Sequence, residues 1–198
     1  MLHSQTFRTK TYFKLFGFTM IELLVSVSIF ALINTIILAK YNQFNAGILL
    51  TDLAYEIALS VREAQVYGLG ARETTPGSSN FNASYGAHFA YATTGAFDLF
   101  YDLDGSGGYD DGELLENKRI TQGNSIADLC VLDGSGGESC ASTGGLSRLD
   151  IIFTRPNPDA IINTNTNSNY ARARITVTSP QGGTRTVTVQ RTGQISVN

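Results

Sequence analysis

The run FTMIELLVSVSIFALINTIILA, residues 18–39, contains a single charged side chain, Glu22. It is long enough to cross the hydrocarbon core of a bilayer, roughly 30 Å thick, which takes about 20 residues of helix. Arg8, Lys10 and Lys14 stand ahead of it without an acid, and only Lys40 follows directly. That asymmetry predicts a cytoplasmic N-terminus, with everything beyond residue 40 exported. A secretory signal peptide would have a shorter apolar core followed by a small-residue cleavage site. Here the small residue, Gly17, comes first. A carboxylate inside a leaflet costs about 2.5 to 3.5 kcal/mol on insertion scales, so Glu22 calls for a partner, and an amine suits it. The alternative is a protonated glutamate tolerated near the interface.

The segment GFTMIELLV, residues 17–25, resembles the N-terminal signature of type IV pilins and type II secretion pseudopilins, a short and specific pattern. The resemblance implies cleavage by prepilin peptidase between Gly17 and Phe18 and N-methylation of the new terminal Phe18. It also implies that Glu22 of an incoming subunit pairs with the Phe18 amine of its neighbour, setting the axial stagger as subunits pass from the lipid bilayer into a filament. The implied partners are prepilin peptidase, other pilin or pseudopilin subunits, and an inner-membrane assembly platform. Cleavage would leave 181 of the 198 residues and remove three basic side chains, moving the formal charge from −3 to −6 before the new amine is counted.

The helical pattern continues beyond the apolar run. No proline occurs from Tyr41 to Tyr67, and Leu50, Ala54, Ile57, Val61 and Ala64 recur at spacings of four and three. These residues form an apolar stripe, with Asp52, Glu56, Arg62 and Glu63 largely away from it, and such a stripe needs a sheet to cover it. Gly68 and Gly70 offer a C-terminal stop, and Gly47 is the only helix breaker inside. One helix of about 50 residues would reach about 75 Å at 1.5 Å per residue.

After residue 70 the pattern becomes strand and turn. Alternation runs through Leu149 to Phe153, residues 171–178, residues 184–190 and Gln194 to Val197, with SPQGG (179–183) as a hairpin turn and Gly193 in the next turn. Ile175 and Val177 are expected to face Val187 and Val189 on the core side, leaving Arg172, Arg174, Thr176 and Thr186 on the other face. RPNPDA (155–160) and NTNTNSN (163–169) read as loops too rigid or too polar to continue a strand. The expected fold class is α+β and pilin-like, a long N-terminal helix packed on an antiparallel β-sheet head. The expected parts are a leader (1–17), a membrane half-helix (18–40), an amphipathic half-helix (41–70) and an exported head (71–198). In architecture the head is similar to pseudopilins grouped as GspH/FimT-like.

The segment DLDGSGGYDDGE, Asp102 to Glu113, fits the twelve-residue calcium-loop template. Asp102, Asp104, Ser106, Asp110 and Glu113 occupy positions 1, 3, 5, 9 and 12, Gly108 offers the carbonyl at 7, and Gly107 is the turn glycine at 6. Tyr109 fills the apolar slot between ligands. Four carboxylates so close together repel one another unless a hard cation gathers them, and Ca²⁺ is the natural one. The alternative is an acidic turn that is merely soluble. AFDLFY (96–101) upstream reads as a strand and GELLENKRI downstream as a short helix or a strand, so the loop is expected between strands.

Cys130 and Cys140 bracket a Gly-rich segment, which in an exported domain favours a disulfide over two free thiols. Two Cys and two His cannot build a four-ligand Cys/His zinc site without carboxylate help. A histidine-based catalytic set would have to use His3, lost with the leader, or His88, which reads as a surface or satisfied core histidine. No nucleophile motif, phosphate-binding glycine loop or dinucleotide fingerprint occurs, so a non-enzyme is expected. Arg172, Arg174, Arg185 and Arg191 raise a second reading, a minor pilin that captures DNA, although the net charge supplies no basic excess. The plainer account of these arginines is a solvated strand edge. A membrane-anchored surface protein that never polymerises is a third.

Overall fold

The computed structural model describes residues 17–198 apart from residues 71, 75, 76, 167 and 168, with backbone alone for residues 42 and 43. Arg8, Lys10, Lys14, His3 and the rest of the expected leader up to residue 16 lie outside the described residues. The chain divides after Asn42 into two units.

Helix α1 (Met20–Leu69) is continuous over 50 residues and passes through Gly47 without a break. In the N-terminal unit its side chains are exposed nearly throughout, among them Leu23, Leu24, Val25, Ile29, Phe30, Leu32 and Ile36. By length and composition this is a helix able to cross a membrane. Its few polar side chains are satisfied locally. Ser26 donates to the Leu23 carbonyl, Ser28 to Leu24, Asn34 to Phe30 and Thr35 to Ala31. Polar groups bonded back to their own helix need no water, so they lower the penalty of a lipid environment.

The second unit holds the rest of α1 and, among the described residues, ten strands in two antiparallel sheets. The first sheet is ordered β3 (Leu114–Arg119), β2 (Ala96–Asp102), β1 (Ser84–Ala90), β6 (Arg148–Phe153), β7 (Ala160–Thr164). The second is ordered β10 (Ile195–Val197), β9 (Thr184–Gln190), β8 (Arg172–Thr178), β4 (Ser125–Leu132), β5 (Glu138–Cys140). The expected apolar stripe is the buried face of α1. Leu50, Leu53, Ala54, Ile57, Val61 and Ala64 join Phe89, Leu99, Leu149, Ile151 and Phe153 of the first sheet and Leu129, Val131, Ile175, Val187 and Val189 of the second in one core. Each fully buried Leu, Ile, Val or Phe side chain among these contributes about 1.5 to 3 kcal/mol.

The structure differs from the sequence reading at several points. Two sheets replace the single one expected. Residues 163 and 164 close β7 instead of opening a loop, because Asn163 faces away from the core and finds a polar partner there. Gly68 lies inside α1, where a Cβ would come within 2.3 Å of the Phe153 carbonyl oxygen, so the glycine is a close-packing residue and the helix runs on to Leu69. In the β8–β9 hairpin Ile175 pairs with Val187 as expected, but Val189 faces Ala173 and Val177 faces Arg185.

A further feature of α1 was not read from the sequence. Phe44, Ile48, Tyr55, Leu59 and Val66 form a second apolar row, exposed to solvent. Ile48 and Val66 each lie nine residues from the buried Ile57, half a turn around the axis at about 100° per residue.

Candidate functional site

The start of α1 is built from Thr19 and Glu22. The Glu22 N–H donates to Thr19 Oγ1 at 3.3 Å, and the Thr19 hydroxyl donates to Glu22 Oε2 at 3.5 Å. This is half of a Thr-x-x-Glu capping box, and it places a carboxylate at the positive end of the helix dipole. Gly17 and Phe18 precede the helix, with Phe18 exposed. The spacing that would have revealed this cap, a threonine three residues before a glutamate, is plain in the sequence.

The acidic loop joins β2 to β3, as expected of a loop between strands. Oxygen atoms of Asp102, Asp104 and Glu113 lie within 4.8 Å of one another. Asp102 and Glu113 are buried, whereas Asp104 is exposed. Backbone amides organise the cluster. Asp102 accepts from the N–H groups of Gly105 (2.8 Å) and Gly107 (3.1 Å), and Glu113 from those of Leu103 (2.8 Å) and Asp110 (3.2 Å). Gly107 takes the turn with φ 75°, a conformation that favours glycine. Ser106 Oγ donates to Asp110 Oδ2 (2.9 Å) and to the Gly108 carbonyl (3.3 Å). The Ser106 backbone N–H holds the Asp104 carboxyl below its ordinary range. The loop thus groups its six template residues into two sets, Asp102, Asp104 and Glu113 on one hand and Ser106, Gly108 and Asp110 on the other.

The loop folds over the outer face of the first sheet. Phe100 lies there fully buried, its ring so close over β1 that a Cβ on Gly86 would sit 2.7 Å from Phe100 Cε1. Tyr109 packs edge-on to Phe100 (ring centroids 5.6 Å apart) and over His88 (4.8 Å). Burial and the neighbouring Asp98 carboxylate raise the Tyr109 hydroxyl above its usual pKa. His88 Nδ1 stands 2.5 Å from Asp150 Oδ1, so this histidine is partnered within the sheet.

Cys130 and Cys140 form a disulfide across the β4–β5 pair, where they are opposite in register. The intervening DGSGG is a tight turn around Asp133, whose carboxylate accepts from the N–H groups of Ser135 and Gly137, both at 2.8 Å. The four arginines do not form one face. Arg174 is ion-paired with Glu138, Arg172 is exposed, Arg185 stands opposite the buried Val177, and Arg191 follows β9 with its backbone N–H bonded to Ala171.

No protein-family model matches the chain, and no match is found among curated proteins or solved structures.

Proposed function

We propose that this chain is a prepilin-type structural subunit: held in the cytoplasmic membrane by the first half of α1, cleaved between Gly17 and Phe18, and polymerised through that helix into a pilus or secretion pseudopilus. Glu22 carries this reading. It is the only charged side chain in the exposed apolar run of residues 18–39, and it stands in the first turn of α1, four residues after Phe18. A free amine created at Phe18 would lie within reach of such a carboxylate on a neighbouring copy. The outer apolar row from Phe44 to Val66 supports the same reading, since it is left uncovered by the head.

We further propose that the acidic loop binds Ca²⁺ as a structural clip. The grouping of three carboxylates and the turn at Gly107 suit a hard cation, and two of those carboxylates are buried, where mutual repulsion costs most. DNA capture is less favoured, because Arg174 is already paired and Arg185 lies apart from Arg172.

The mature N-terminus tests the main proposal. Mass spectrometry of the protein from its native membrane should find N-methylated Phe18 as the first residue. An intact leader, or cleavage elsewhere, would instead identify an anchored protein that does not polymerise.

A further inference from the structure

The outer apolar row of α1 is bordered by charges of opposite sign on its two sides. At about 100° per residue, Asp52, Glu63 and Glu56 fall about 40° to 80° to one side of the line through Ile48 and Val66, and Arg62 falls about 40° to the other. The acidic border faces the first sheet, where Thr121, Gln122 and Asn124 close the space beside Asp52 and Glu56. Lys118 of β3 reaches Glu63 at 3.9 Å but stands closer to Glu116, at 2.8 Å. Asp52, Glu56 and Arg62 are exposed and have no ion pair among the described residues.

The basic border faces the second sheet. Arg62 donates to Gln65 Oε1, and the buried Gln65 is itself anchored, its Nε2 donating to the carbonyls of Pro158 (3.1 Å) and Gly193 (3.3 Å). Beside it a groove separates α1 from the edge strand β10, lined by Tyr55, Ala58, Leu59, Arg62, Ile195 and Val197. Farther along the same side Arg185 of β9 borders Gly47 and Thr51, in a hollow that reaches across to Asp52 without an ion pair.

Such a strip selects the direction of a partner. When two copies of α1 lie face to face and parallel, the acidic border of each meets the basic border of the other. Turned antiparallel, acids face acids and arginines face arginines, and like charges set against each other across an interface are strongly unfavourable. The three acids also repel an anionic lipid surface. We propose that the outer row and the groove beside β10 receive a second copy of this chain, parallel to the first, with Arg62 of one copy set against the Asp52 and Glu56 border of the next. This rests on the reading of the chain as an assembling subunit, and adds the direction of packing and the charges that fix it. Because one face carries both an acidic and a basic side, the contact repeats from copy to copy without closing, as a filament requires.

The test uses the full chain in its native cells, with filament yield read by electron microscopy and melting of the purified protein in detergent as the check on folding. Arg62→Glu, and separately Asp52→Lys with Glu56→Lys, should each cut filament yield about tenfold or more. Reversing all three charges together restores opposite borders and should return most of the yield, because the coupling lies between copies. Antiparallel docking gives the contrary result, near-normal yield from each partial reversal, and that outcome would overturn the proposal. So would a combined reversal that recovers no yield while the head melts as in wild type. Should Arg62→Glu disturb Gln65 and lower melting, the exposed acids carry the comparison alone. Asp52→Asn with Glu56→Gln removes charge without adding repulsion and should lose less than the lysine pair; equal losses would also overturn the proposal. Cells that build no filament from the wild-type chain would instead remove the assembly reading on which it rests.

Discussion

Glu22 is at once the glutamate of a helix-capping pair with Thr19 and the sole charge of the apolar run 18–39, and two substitutions separate these roles. Glu22→Gln keeps a side chain that can accept from Thr19 but removes the charge, whereas Glu22→Val removes both. If pairing with a neighbouring amine drives assembly, both variants should be made and inserted in the membrane yet yield few or no filaments by electron microscopy. Normal filaments from Glu22→Gln would assign the residue to capping alone. The cap itself is worth only about 0.5 to 2 kcal/mol. Asp133 offers a second test at this scale. The backbone amides of Gly137 and Ser135 lower its pKa below the ordinary 3.8. A carboxyl lowered on folding contributes stability that is full above its unfolded value and is lost as pH falls through the folded one. Tm followed from pH 6 down to 2 should therefore drop less steeply in Asp133→Asn than in wild type; identical acid limbs would show that the turn is not held by this carboxylate.

At the scale of the element, α1 has opposed apolar rows with separable duties. Ile57→Ala, in the buried row, should cost the head about 2 to 5 kcal/mol, as truncating a packed aliphatic side chain leaves a cavity. Leu59→Asp, in the exposed row, should leave head melting within about 0.5 kcal/mol of wild type while reducing filament yield. Equal filament yields would mean that the outer row is not an assembly surface. The buried row was legible in the sequence because five residues repeat with the helical period. The outer row escaped notice because it interleaves with Asp52, Glu56 and Arg62, which read as one polar face. Among strands, β2, β6, β8, β9 and β10 announced themselves by alternation or flanking turns. β4 gave no clean alternation, and β7 is short and runs into the Asn/Thr stretch, so the division into two sheets and the edge of the first went unread. The acidic loop was visible as a local template, whereas its seat over Phe100 and His88 was not, since only the pairing of β1 with β2 brings those residues together.

At the scale of the whole molecule, the acidic loop doubles as cover for the first sheet, packing Tyr109 on Phe100 and placing Gly108 over Asp150 on the face away from the main core. Ion binding to the loop should therefore stabilise the head as one body. With Ca²⁺ at about ten times a Kd of 10⁻⁴ to 10⁻³ M, the gain is about 1.4 kcal/mol, so chelation should lower Tm by a few degrees and Asp104→Ala should erase the difference. Equal melting of the wild type with and without chelator would exclude the ion. The strand orders carry one more consequence. The chain lays down β1 to β3 in one sheet, β4 and β5 in the other, then returns to each in turn, so β1 waits for β6 and β4 waits for β8. A nascent chain that has emerged only as far as residue 171 can pair β4 with β5 but not with β8. Until then the second sheet lacks three of its five strands, and the core face of Leu129 and Val131 goes without Ile175, Val187 and Val189 until synthesis is nearly complete.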